Sequence, residues 1–279
     1  MNTNTVAKQK SQNSQLSLLV QAVGRCEDGS VRVEFRQGDL PWKGVVNVIV
    51  PEGAEDTNAI AELCALRHLM QDRMMFGCTF APRGTRICVT AGVIRKLLRM
   101  DSQKGHLVRY ARFLFYTFDG CEMEVVKSSD LADLPPRMLP VENSETEFYP
   151  APEITITAEA SQLTAAPFAV LGEQVGITRH AIERYQERYG TPYVRNAIAR
   201  ITKILASNEV REMTVSERSK FRAMQKHGTE GRAYLYPPSQ TVFVVVPEED
   251  MPVIATIYKL EPEAKQAVYV GGRIEMRRR

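Results

Sequence analysis

The stretch "AEDTNAIAELCALRHLMQ", Ala54–Gln71, decides how the first half of this chain is read. Ile60, Leu63, Leu66 and Met70 recur at the three- and four-residue steps of one helix face, the pattern of an amphipathic helix. Asp56 and Thr57 are residue types that start helices. One acid, Glu62, lies within it. Immediately before comes "KGVVNVIVP", a strand bordered by Gly44 and Pro51. Further back, "LSLLVQAVGR" and "VRVEFRQ" flank the turn "CEDGS", a hairpin signal. Beyond the helix, "TRICVTAGV" reads as a fourth strand, "AGVIRKLLRM" and "HLVRYARFLFYTF" as helices, and "CEMEVV" as a fifth strand. The expected order is β-β-β-α-β-α-α-β.

With that strand order and with "DTNAIAEL" at the helix entry, residues 15–133 resemble the ribonuclease H-like superfamily. The resemblance implies an α+β domain built on a five-stranded mixed sheet with helices. It also implies a site where a glutamate and three aspartates hold metal ions. Two-metal chemistry needs several carboxylates converging on the cations. The first strand carries no acid at all. Glu62 matches the second position. Where the family reads Thr-Asp-Ser after the fourth strand, this chain reads "VTAGV", with Ala91 in place of the aspartate. Asp130 and Asp133 are the late candidates. With two of four positions empty, the expectation is a domain inactive as a metal nuclease, with no metal and no cofactor. Glu62 then reads as a helix-start residue favoured by the helix dipole.

What remains there is a surface. Arg95, Lys96, Arg99, Lys104, His106, Arg109 and Arg112 face only Asp101, and they interleave with the apolar Ile94, Leu97, Leu98, Leu107, Val108 and Tyr110. Such a patch binds phosphates, although cations also simply solvate helix surfaces. Arg95, Lys96, Arg99, Lys104, Arg109 and Arg112 are the candidate nucleic-acid contacts.

Residues 134–171 are rich in Pro, Glu, Ser and Thr, the composition of a linker. "EITIT" inside it reads as a short strand that docks on a neighbour. A second domain follows over 172–279, with 18 Lys and Arg against 13 Asp and Glu, a larger excess than the net +3 of the chain. "GITRHAIERYQERYG" gives a helix with Thr178 as N-cap, an apolar stripe of Ala181, Ile182, Tyr185 and Tyr189, and Gly190 as terminator. Thr191 and Pro192 start a second helix with Val194, Ile198, Ile201 and Leu205 inward. "RAYLYP", "QTVFVVVP" and "PVIATIYKL" are three strands, giving a small ααβββ domain. The ending "GGRIEMRRR" reads as a mobile basic tail.

On the "T-x-H-A-x-x-R" start, the two short helices and the meander ending in "VIATIY", this half resembles the RelE/ParE-type toxins of the barnase–colicin–RelE superfamily. Members that cleave RNA do so without metal, the 2′-hydroxyl attacking its own phosphate with the help of a general acid, a general base and cations. Carried over, His180 is the acid or base and Arg184 and Arg188 hold phosphate. Lys226, His227, Tyr236 or Tyr258 complete the site, with Tyr258 the preferred catalytic partner and Lys226 a further nucleic-acid contact. Each has a plainer reading as a local hydrogen bond, a helix ion pair or a strand packing residue.

Hydrophobic content of 44% and charged content of 25% are ordinary globular values. The five cysteines have no zinc spacing and read as reduced thiols. Residues 1–14 read as a disordered polar tail with no signal peptide, and no run is long enough to span a membrane. The expectation is a cytoplasmic nucleic-acid-binding protein, binding RNA rather than DNA, with a candidate metal-independent endoribonuclease in its second half. The alternative is a catalytically inactive adaptor or assembly subunit, contacting a protein partner in a mobile-element or nucleoprotein complex.

Overall fold

Alternation sets the first sheet. In β1 (Ser17–Arg25), Leu18 and Val20 point to one face. In β2 (Val31–Gln37), Val31, Val33 and Phe35 point the same way, as do Val46 and Val48 of β3 (Gly44–Ile49). These strands pair antiparallel, and β4 (Arg86–Val89) and β5 (Glu122–Val125) add in parallel beyond β1. The structure is a computed structural model and describes residues 16–127, 131–141, 144, 146–214, 231–248, 250–260, 267–270 and 273–276. Among these it has six α-helices and mixed sheets, an α+β chain in two compact units, Met1–Gln162 and Leu163–Arg279.

In the first unit the sheet order is β5-β4-β1-β2-β3-β8. The apolar face carries α1 (Thr57–Arg67), which packs on β1, β2 and β3. Every residue of α1 from Ala59 to Leu66 is buried. The stripe expected of an amphipathic helix has become an all-round buried helix, because Ala59, Ala61, Cys64 and Ala65 fill its other faces without needing water. A single π turn, His68–Asp72, follows it. Gly44 lies opposite Phe35 in the ladder, and a Cβ there would run into the Phe35 ring, so the glycine is what lets the ring lie flat on the strand.

The helical layer continues with α2 (Gly92–Arg99), α3 (Gly105–Ala111) and α4 (Leu114–Thr117). The expected single helix over 106–118 is broken in two by Ser161. Its N–H donates to the Arg109 carbonyl at 2.8 Å. Its Oγ accepts the Phe113 N–H at 3.3 Å. These are the two groups that would otherwise bond to each other one helical turn apart, so an inserted side chain interrupts the ladder.

Residues 134–171, read as a linker, supply structure to both units. β6 (Met138–Pro140) and β7 (Phe148–Pro150) form a hairpin. β8 (Ile154–Thr157) docks parallel to β3, Val46 opposite Ile154. Arg67 then holds the Glu159 and Ala160 carbonyls, each at 3.0 Å. On the other face of this sheet, Leu131 packs on Leu19 and Cys88. The Arg137 guanidinium lies 4.9 Å from the Trp42 ring centre.

The second unit is an eight-stranded sheet in the order β15-β16-β11-β12-β13-β14-β10-β9. The strands are β9 (Thr164–Phe168), β10 (Glu173–Ile177), β11 (Arg211–Thr214), β12 (Arg232–Tyr236), β13 (Thr241–Val246), β14 (Val253–Lys259), β15 (Ala267–Val270) and β16 (Arg273–Met276). The expected ααβββ unit is present as α5 (Arg179–Tyr189), α6 (Val194–Leu205), β12, β13 and β14, with five further strands around it. Part of the terminal segment read as mobile is β16, paired with β11 and β15.

Thr178 caps α5, its Oγ1 accepting from the Ala181 N–H at 3.2 Å, and Gly190 ends it at φ 58°. α6 starts later than Thr191 and Pro192 suggest, with Tyr193 as its extended N-cap. Thr191 precedes a proline, which disfavours helical backbone for it; its buried hydroxyl accepts from Arg200 at 3.3 Å.

Candidate nucleic-acid interface

Glu62 occupies the middle of α1 and is fully buried, not a helix-start residue. The dipole account of it fails, because its partners lie on other elements. Oε1 accepts the Ala22 N–H of β1 at 3.1 Å and meets the Thr90 hydroxyl. Oε2 accepts the N–H groups of Thr90 at 3.1 Å and Ala91 at 3.0 Å. A carboxylate has about four acceptor sites, and protein donors fill them. Burial pushes the carboxyl up, against the opposing pull of these hydrogen bonds. Glu62 thus joins α1, β1 and the β4–α2 turn, and Ala91 is the N-cap of α2. Of the two late acids, Asp130 lies outside the described residues and Asp133 is exposed. Among the described residues, no group of three or more His, Cys, Asp and Glu side chains could hold a metal ion.

The cations lie on the adjoining helices. α2 buries Ile94 and Leu97 and ends at Met100 in a left-handed conformation, φ 64°. Its outer face carries Arg95, Lys96 and Arg99, all exposed. Arg99 is one turn from both of the others, so the three share a face. Among the described residues none forms an ion pair with Arg95, Lys96 or Arg99. Lys96 and Arg99 also sit in the last turn, where the helix dipole favours positive charge.

α2 packs against α3, which buries Leu107 and Tyr110 and exposes His106 and Arg109 one turn apart. The Arg109 guanidinium lies 4.9 Å from the Tyr110 ring centre and donates to its hydroxyl at 3.0 Å. Lys104 and His106 both bond Asp56. Arg112 is half-buried at the end of α3. Arg95, Lys96, Arg99, Lys104, Arg109 and Arg112 thus lie on α2, α3 and their flanks, and of these, among the described residues, only Lys104 forms an ion pair.

The second unit assembles its candidates less completely. His180 is exposed on α5. Arg184 pairs with Glu187 at 2.8 Å, as the spacing suggests, and Arg179 takes Glu183 at 2.8 Å. Arg188 is exposed. Tyr258 lies elsewhere. α5 packs on β14, and its Tyr189 meets Thr241 of β13 and Lys259 of β14. Tyr258 alternates with Lys259 along the strand and packs against Met213, Ala233, Leu235 and Val242 on the reverse face of the sheet. Burial pushes its hydroxyl up. His180, Arg184 and Tyr258 are thus not brought to one face. Lys226 and His227 lie outside the described residues, and Tyr236 is half-buried at the end of β12.

One polar cluster escaped the sequence reading. Tyr189, placed in the apolar stripe, bonds the Thr241 hydroxyl at 2.5 Å, and Ser239 reaches the same oxygen at 2.6 Å. Only the register of β13 against the end of α5 brings these together, and no spacing in the sequence signals it. The nearby shallow depression is lined by Glu183, Gln186, Glu187, Gly190, Thr191 and Pro192. Its two carboxylates oppose phosphate.

Compared with known protein families, curated proteins and solved structures, the chain matches none.

Proposed function

We propose that this chain is a nucleic-acid-binding protein whose first unit is a ribonuclease H-like frame converted from metal chemistry to phosphate contact. The strand order 5-4-1-2-3, three antiparallel strands followed by two parallel additions, supports the frame. The inward commitment of Glu62 supports the conversion. The observation that carries the reading is the outer face of α2, where Arg95, Lys96 and Arg99 stand exposed without a counter-charge among the described residues. RNA is the favoured ligand, because two helices followed by an antiparallel meander in the second unit suit a RelE-like module. His180 and Arg184 are the candidate groups there for metal-independent cleavage.

The test is fluorescence anisotropy of labelled single-stranded RNA and DNA across a salt series. Each phosphate contact to a single strand contributes a slope of about −0.7 in log K against log salt. Replacing Arg95, Lys96 and Arg99 together with Ala is expected to flatten that slope by about two units and weaken binding about tenfold or more near 0.1 M salt. Unchanged binding in the triple variant overturns the reading.

The adaptor reading has one observation in its favour. The β6–β7 hairpin exposes Met138, Phe148 and Tyr149, a small apolar cluster suited to a protein partner.

A further inference from the structure

Asp56 precedes α1 with φ 54° and ψ 39°, a left-handed backbone that residues other than Gly, Asn and Asp avoid. An aspartate at this position ordinarily caps the helix with its side chain. This one makes no such bond. Its carboxylate is turned to the start of α3 instead. Oδ1 lies 2.5 Å from Lys104 Nζ and Oδ2 lies 3.0 Å from His106 Nε2. The local preference is given up for a contact with a lysine and a histidine, a conflict between levels that marks functional positions.

We propose that Lys104 and His106 form a phosphate subsite for a nucleic-acid strand, and that Asp56 is its built-in competitor, filling in the free protein the place a phosphate takes in the complex. This rests on the nucleic-acid reading above. A carboxylate and a phosphate present the same pair of anionic oxygens to N–H donors, so the Asp56 oxygens mark where phosphate oxygens sit. The subsite continues the basic edge: Arg109 is one turn beyond His106 on α3, and α2 packs alongside. The three side chains are all partly exposed, and exposed ion pairs contribute little. A strand carrying several phosphates therefore displaces the carboxylate, which sets both the affinity and the salt at which the strand is released.

The experiment is anisotropy of a fluorescein-labelled oligouridylate with the full chain across a salt series. Asp56→Asn keeps the side-chain size and tolerates the left-handed backbone. It is expected to tighten binding about two- to fivefold and to steepen the salt slope by about one. In a Lys104→Ala/His106→Ala background the same change is expected to do nothing. Asp56→Gly, which adopts this backbone without strain, repeats the measurement independently of any fold defect in the Asn variant.

Unchanged or weaker binding in both Asp56 variants overturns the inference and makes Asp56 a residue that merely positions α3. Equal tightening in the double-Ala background also overturns it, as a general charge effect. In either case the α2 triple variant still weakens binding, and the nucleic-acid reading stands. Wild-type protein that fails to bind the oligomer overturns both.

Discussion

At the scale of single residues, Glu62 carries the clearest energetic consequence. Three of its four partners are amide N–H groups, which can only donate. Removing the acceptor leaves these part-buried groups without it, at about 1–3 kcal/mol for each unsatisfied group before relaxation. Glu62→Ala is therefore expected to destabilise the first unit by roughly 3–5 kcal/mol, read from denaturant unfolding. Glu62→Gln keeps one acceptor and turns a donor toward amides, and its expected cost is about 1–3 kcal/mol. A loss below about 0.5 kcal/mol in both variants, the range of ordinary surface changes, contradicts the role. The pH dependence has a definite sign. Burial raises the Glu62 carboxyl, so the folded chain holds this proton more tightly than the unfolded one. The resulting stability is complete below the ordinary value of 4.5 and is lost as pH rises through the raised one. The melting temperature of wild type minus that of Glu62→Gln should fall as pH rises above 4.5 and then level off. A difference that grows with pH contradicts this. The proton has one place to sit, between Glu62 and the Thr90 hydroxyl, the only partner able to accept.

At the scale of elements, the interruption between α3 and α4 shows what periodicity cannot see. Leu107, Tyr110 and Leu114 keep helical spacing across the break and are all buried, so the pattern alone predicts one helix. Ser161 breaks it from far along the chain, in a segment whose composition reads as linker. Ser161→Ala removes the acceptor of the buried Phe113 N–H. The expected loss is about 1–3 kcal/mol, with faster amide exchange at Phe113 than in the wild type. Unaltered exchange there shows that the backbone can close the ladder without the serine. The strands of the first sheet, Thr178 as a cap and Gly190 as a terminator were legible because each is decided by its own neighbours. The strand at β8 was legible as one that docks on a neighbour, but not that its partner is β3. The pairing of β16 and the Tyr189 cluster were not legible, because each depends on residues distant in sequence that no local propensity encodes.

At the scale of the molecule, the basic helices and the candidate groups for cleavage fall in different units. Leu18, Val20 and Ile60 belong to one core and Phe168 and Tyr234, in edge-to-face contact at 4.9 Å, to the other. The basic edge could be read from charge run and helix spacing alone, because exposed cations on short helices need no partner to be placed. Whether the candidates His180, Arg184 and Tyr258 share a face could not, since that turns on strand register. This division makes a prediction about the whole chain. Residues 1–162 contain every cation of the α2–α3 edge and the strap through Ser161 that holds α3 in place. Expressed alone, that segment is expected to unfold cooperatively and to keep at least half of the salt slope of the full chain on single-stranded RNA. Residues 163–279 alone are expected to bind with the shallower slope. RNA incubated with either segment in EDTA separates contact from chemistry. Cleavage confined to the second segment and lost in His180→Ala, but kept in Tyr258→Phe, assigns chemistry to the α5 face that the geometry leaves open. If the second segment instead carries nearly all the salt dependence, the α2–α3 edge is a solvated surface, and the proposed role of the first unit falls with it.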